Sequence, residues 1–214
     1  MVKLEQRKRW IFHITHFRNL LGIIESGGLK SDSEIRGQSV QIGYGHIKNR
    51  RLEKNIPSLN TFVGNCVPFY FGVRSPMLYV ITKKNFDLDY TGKAREIVYL
   101  VADIQNIVQS NLQWCFSDEN ASSITAEFYT EIDKLDVLDW DAIETDRWGK
   151  GFQPDHPDLK EKKQAEFLVR DFFPWNLVCK IAVHDEEMKH FVQEILQSSE
   201  FQPPLSIQKR WYYD

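Results

Sequence analysis

The sequence predicts an α+β fold, and three observations carry the prediction. Apolar or alternating runs of strand length occur at 67–72 (VPFYFG), 96–103 (EIVYLVAD) and 164–172 (QAEFLVRDF). Helical spacing of apolar residues occurs elsewhere, at 17–24 and 188–195. The two kinds of segment do not alternate regularly, as the crossovers of a doubly wound sheet require. With 214 residues the chain can bury one sizeable core and is short for two, so residues 1–214 are expected to form a single domain.

Trp10 to Ile14 is an apolar start, after which Thr15 reads as the N-cap of a helix carrying Phe17, Leu20, Leu21 and Ile24; Gly27-Gly28 ends it. Residues 30–65 are polar and rich in turn formers. A loop region of that length is uncommon unless it binds something, and a short helix is expected only near 46–54. VPFYFG is a strand with Pro68 near its start, where a missing donor is tolerated. Ser75-Pro76 breaks the chain before a second apolar segment. EIVYLVAD, β-branched and aromatic on both faces, is the clearest central strand, and Asp103 is expected to cap a short helix reaching Ser110. WCFSD at 114–118 is another strand.

From Glu127 to Asp146 the chain is acidic with only Lys134 opposing, and Ile132, Leu135, Leu138, Trp140 and Ile143 give it an apolar side; a mostly solvated helix is expected. Gly149 to Asp158 reads as a loop leading into the strand at 164–172. NLVCKIAVHD suggests a further strand, Asp185 caps a helix with Met188, Phe191, Val192 and Ile195 on one face, and the chain ends in LSIQKRWYYD.

Several classes are excluded. The basic start MVKLEQRKRW is not followed by an apolar signal region, and no apolar run approaches the roughly 20 residues of a membrane span, so a cytoplasmic protein is expected. Cys66, Cys115 and Cys179 are too few and too far apart for a disulfide framework or a paired zinc knuckle. His13 and His16 lack a third ligand nearby, so no metal is expected. A phosphate-binding glycine loop and a nucleophile elbow are both absent. A net charge of -3 means that a nucleic-acid partner needs a local basic patch; HIKNRRLEK at 46–54 is one candidate, and a plain solvated face is the alternative.

Glu166 does not fit its surroundings. It interrupts an otherwise apolar strand, where an unpaired carboxylate costs about 2 kcal/mol or more. Alternation places it on one face with Gln164, Leu168 and Arg170, so a structural ion pair with Arg170 and a carboxylate kept for chemistry both remain open.

HITHFRNLLGIIESGGL at 13–29, YGHIKNRR at 44–51, VPFYFGVRSPMLY at 67–79, KKQAEFLVRDFFPW at 162–175 and the terminal WYY together resemble the DarT family of DNA ADP-ribosyltransferase toxins, in order from Ile11 to Tyr213. The resemblance implies an ADP-ribosyltransferase fold with a central split mixed β-sheet flanked by helices. It also implies NAD+ as donor, a thymine base in single-stranded DNA as acceptor, and a macrodomain antitoxin that removes the modification; a monomeric bacterial enzyme without metal is expected. Carried over, the catalytic glutamate falls on Glu166 and the essential arginine on Arg51. His13, Thr15, Asn19, Gly22 and Tyr70, with Arg51, form the expected NAD-binding set. Tyr44, His46, Lys48 and Arg74 are expected to face DNA, as are Met77, Asn120, Arg147 and Trp148, with Trp114 as a further stacking surface. One segment departs: SDENASS at 117–123 places Glu119 and Asn120 where relatives commonly carry a DNA-facing histidine. That departure keeps an RNA or protein acceptor in view, and a structural salt bridge at Glu166 would leave a non-catalytic binding module as a further alternative.

Overall fold

The computed structural model describes residues 5, 9–35, 39–84, 87–148 and 156–213. The chain enters through strand β1 (Trp10–His16), a 3-10 turn and helix α1 (Leu20–Glu25), then β2 (Gly28–Lys30), α2 (Gly45–Glu53), and the short strands β3 (Asn55–Ile56) and β4 (Thr61–Phe62). It continues through β5 (Cys66–Tyr70), α3 (Pro76–Thr82), β6 (Ile97–Asp103), α4 (Ile104–Gln109), β7 (Trp114–Asn120), β8 (Phe128–Tyr129) and α5 (Trp140–Glu144). The last part is α6 (Leu159–Lys162), β9 (Ala165–Arg170), β10 (Phe172–Pro174), β11 (Val178–Val183), α7 (Glu186–Leu196) and β12 (Leu205–Ile207).

Eight strands form one mixed sheet in the order β12-β11-β6-β1-β5-β9-β7-β8, in which β11 and β12 are parallel and the other pairs antiparallel. The prediction of an α+β fold with a split sheet is met. β1 pairs with β6 along its whole length and β5 pairs with β9 from Cys66–Arg170 to Tyr70–Glu166, but β1 and β5 meet at a single ladder pair, Phe12 opposite Tyr70. β6 is buried at every position, as its continuous apolar run requires. One face packs Val67, Phe69, Phe116, Phe167 and Val169 into the main core; the other carries smaller clusters around Tyr99 and around Leu168.

Three expectations are corrected. Thr15 is not a helix cap: β1 runs through His16 because Thr15 still pairs with Val98, and His16 caps the following turn with Nδ1 accepting from the Arg18 amide at 3.2 Å. The acidic 127–146 segment is not one solvated helix. Ile132, Leu135 and Leu138 repeat every third residue, which suits the 3-10 turn seen over Ile132–Val137, and Leu135, Leu138, Trp140 and Ile143 are buried in the main core, with Trp140 edge-on to Phe71 at 5.7 Å. The 30–65 region holds the predicted helix as α2, and also β3 and β4, too short for an alternating pattern to announce them. The caps expected from Asp103 and Asp185 are present, accepting from the Gln105 and Met188 amides. Ser75 caps α3 through the Leu78 amide with Pro76 in its first turn. Of the loop expected at 149–158, residues 149–155 lie outside the described residues.

Candidate active site

α2 is a basic, mostly exposed helix that buries one side chain, Arg51. It sits close against the turn after β4 because Gly64 has no side chain: a Cβ there would stand 2.6 Å from Leu52 Cδ2 and 3.0 Å from Leu52 Cα. The helix thus delivers a guanidinium to the start of β9, where Arg51 Nη1 donates to Glu166 Oε1 at 2.9 Å. Glu166 is 3 % and Arg51 8 % exposed. Burial lowers the Arg51 pKa, but the Glu166 carboxylate outweighs it and the net direction is upward, so the guanidinium stays charged.

The carboxylate has a second fixed contact. Between Phe116 and Asn120, β7 spends four residue steps against two in β9, Phe167 to Ala165. This bulge turns the Ala121 amide toward the strand, where it donates to Glu166 Oε1 at 3.2 Å, and places the Ser117 hydroxyl to accept from the Glu166 amide at 3.2 Å. Ser117 Oγ in turn donates to the Glu119 carbonyl at 2.7 Å. Among the described residues the hydrogen bonds to the carboxylate go to Oε1, and Arg51 Nη2 is buried without a partner. One oxygen and one donor of the pair are therefore left for something else.

Tyr70 lies directly opposite Glu166 in the ladder, so their side chains share a face, and Phe12 opposite Tyr70 extends that face across the split. Burial, and then the Glu166 charge, push the Tyr70 phenol well above its ordinary pKa, keeping it a neutral donor. His13 leaves β1 on the other side of the pleat, packs against Phe69, and bridges the split through Nδ1 to the Pro68 carbonyl at 2.8 Å. Burial lowers its pKa, so it stays neutral. His16 is three residues further along the strand and faces the opposite way; the two histidines do not converge. Asn19 donates to Thr15 Oγ1 at 3.0 Å and to the Val40 carbonyl at 3.0 Å, and accepts from the Val40 amide at 2.8 Å, tying the end of β1 to the loop before α2. Gly22 is exposed, with open space where a Cβ would stand.

The residues expected to face DNA divide into groups. Tyr44 precedes α2, its ring 5.2 Å from His46, and Lys48 pairs with Asp32 at 2.9 Å. Arg74 pairs with Asp146 at 2.7 Å and lies 5.8 Å from the Tyr213 ring; Trp148 Nε1 donates to the Tyr213 hydroxyl at 3.2 Å and its ring meets Tyr79 edge-on at 5.1 Å. Met77 is half-buried on α3 and Arg147 is exposed. Asn120 donates to Gln164 Oε1 at 3.0 Å, beside the entrance to β9. Glu119 is buried, its carboxylate held by the Thr125 hydroxyl. Trp114 is corrected: it stacks on Phe167 at 5.2 Å, on the face of the sheet away from Glu166.

The structural pairing with Arg170 is also set aside, since Arg170 Nη1 donates to the Leu59 carbonyl and to Gln113 Oε1. Sequence reasoning missed Ser117 and the Ala121 amide. A serine inside an apolar strand was the available signal for the first, and the second is a backbone group with no residue signature. Among the described residues no cluster of three or more histidine, cysteine or acidic side chains is placed to hold a metal ion.

A split mixed sheet carrying a buried glutamate clamped by an arginine fits the ADP-ribosyltransferase class that the sequence resembles. Similarity narrows this class. The family model for ssDNA thymidine ADP-ribosyltransferase, DarT, matches residues 12–213, and the chain belongs to that family. It is 37 % identical over 206 residues to a DNA ADP-ribosyl transferase of Thermus aquaticus, covering 95 % of this chain and 88 % of that protein. Among solved structures, the DarT of Thermus sp. 2.9 in complex with ADP-ribosylated ssDNA superposes with a TM-score of 0.91 at 35 % identity over the full length of both chains. The same protein in complex with NAD+ gives 0.84 at 33 % identity, covering 99 % of this chain and all of that one.

Proposed function

We propose that Glu166 and Arg51 are the reacting pair with which this chain transfers ADP-ribose from NAD+ to thymidine in single-stranded DNA, the reaction of its family. The observation that carries the assignment is the half-satisfied pair: Oε1 fixed by Arg51 and Ala121, with Arg51 Nη2 left over. As the bond from ribose C1′ to nicotinamide breaks, nicotinamide leaves with the electron pair and the sugar becomes cationic, as in glycoside cleavage. A carboxylate held rigidly beside that ring stabilises it by about 4 kcal/mol, at the upper end of single preorganised oxyanion contacts. Oε2 is the oxygen available to a ribose hydroxyl. Thymine N3 gives its proton to water, and the resulting imide nitrogen bonds to C1′ with its lone pair. Arg51, whose pKa is raised, is a poor acceptor for that proton; it stabilises the imide anion through Nη2 and orients the base.

His13, Thr15, Asn19, Gly22 and Tyr70 hold NAD+ across the split. Tyr44, His46, Lys48, Arg74, Met77, Asn120, Arg147 and Trp148 receive the strand, by stacking and by phosphate contact. N3 is paired in a duplex, so the base must be presented from a single strand. Residues 1–214 act as one catalytic domain and as a monomeric cytoplasmic toxin, countered by a macrodomain antitoxin. The test is mass spectrometry of thymidine-containing oligonucleotides after incubation with NAD+ and the protein. One ADP-ribosyl unit is expected on single-stranded DNA and none on the same sequence as a duplex; label on RNA or protein alone rejects the proposal.

A further inference from the structure

Lys163 is a further buried charge beside the site, and the transfer step does not use it. It is 4 % exposed, and its ammonium donates to the carbonyls of Ile143 and Thr145, both at 2.8 Å. These carbonyls belong to the end of α5, where the helix supplies no partners. Burial pushes the ammonium down to about 8. A lysine so placed costs the fold stability, and what it gives in return is location. The same segment is fixed from the opposite side: a Cβ on Gly72 would stand 2.9 Å from the Ile143 carbonyl oxygen and 3.2 Å from Ile143 Cγ2. The end of α5 is therefore clamped between the exit of β5, two residues after Tyr70, and the entrance of β9, three residues before Glu166. From that clamp the chain runs on through Asp146, which pairs with Arg74, to Arg147 and Trp148.

We infer that Lys163, together with Gly72, is a positioning residue for the acceptor strand: it sets where residues 145–148 stand relative to Glu166, and so governs how DNA is held without governing how NAD+ is held. The inference rests on the proposed contacts of Arg74, Arg147 and Trp148 with DNA. Its test is steady-state transfer with oligonucleotide and NAD+ varied separately, for the wild type, Trp148→Ala, Lys163→Met and Gly72→Ala. Methionine matches the length of lysine and leaves the two carbonyls without a donor, whereas Gly72→Ala displaces the same segment without touching Lys163. In both variants the oligonucleotide KM is expected to rise roughly tenfold while the NAD+ KM stays within about twofold, the signature of a misplaced acceptor. An unchanged oligonucleotide KM in Trp148→Ala overturns the DNA reading of the segment. A raised KM there, with Lys163→Met and Gly72→Ala both unchanged, overturns the positioning role alone, as does an equal rise in the NAD+ KM. Should Lys163→Met fail to fold, Gly72→Ala decides by the same criteria.

Discussion

α2 and α7 are both surface helices, and they are built for opposite purposes. α7 carries Met188, Val192 and Leu196 into the main core and is capped by Asp185, so its sequence explains its position through apolar burial. α2 buries only Arg51, has no capping side chain, and is seated on Gly64. A helix without an apolar face gains little from packing. Its position is set by the guanidinium it carries and by the carboxylate 115 residues away that receives it. One helix holds the fold, and the other holds the proposed reacting pair together.

Perturbing the two helices should separate these roles. The largest loss is expected on the partner of α2: Glu166→Gln keeps the shape and removes the charge, and should lower the transfer rate about 1,000-fold or more while the protein still unfolds cooperatively in urea. Arg51→Lys keeps the charge but replaces a fork with a single point, so it cannot serve Glu166 Oε1 and the base together; a loss of about 100-fold in kcat is expected, and near-normal activity would remove the two-donor role. Gly64→Ala pushes α2 off its seat, and a roughly tenfold loss of kcat with little change in urea midpoint is expected. Met188→Ala is the converse. Leaving a cavity under α7 should cost about 2–5 kcal/mol in denaturant unfolding, with the kcat of the folded protein changed by less than about twofold.

The smallest effect concerns pH. Lys163 titrates near 8 in the folded chain and near its ordinary, higher value when unfolded. Between those values the unfolded state binds more protons, so stability from this group rises with pH and is lost as pH falls through 8. The wild type should gain in Tm relative to Lys163→Met as pH is raised above 8.

Elements bounded by strong local chemistry were legible in the sequence. β6 and β9 declare themselves by apolar content, and α4 and α7 by Asp103 and Asp185 at their starts. Thr15 misled because a β-branched hydroxyl suits a strand as well as a cap, and the ladder to Val98 decided between them. The 132–137 turn misled because its spacing of three was taken for the α-helical one. At the site, Glu166 stood out as a carboxylate in an apolar strand. The partner could not be read from local pattern, since Arg170 is two residues away and Arg51 is far off in the chain. Resemblance to the family supplied Arg51, and the structure supplied the contact. The Ala121 amide and the bulge that aims it leave no mark on residue identity at all.

The central claim is that a negative charge at Glu166 acts on the sugar during bond breaking and adds little to holding NAD+. It is tested most directly by measuring NAD+ affinity and the single-turnover rate of ADP-ribosyl transfer to a thymidine oligonucleotide side by side in the wild type and in Glu166→Gln. The account predicts a Kd for NAD+ within a few-fold of wild type and a transfer rate lower by about three orders of magnitude. A folded Glu166→Gln protein that transfers at the wild-type rate would contradict it.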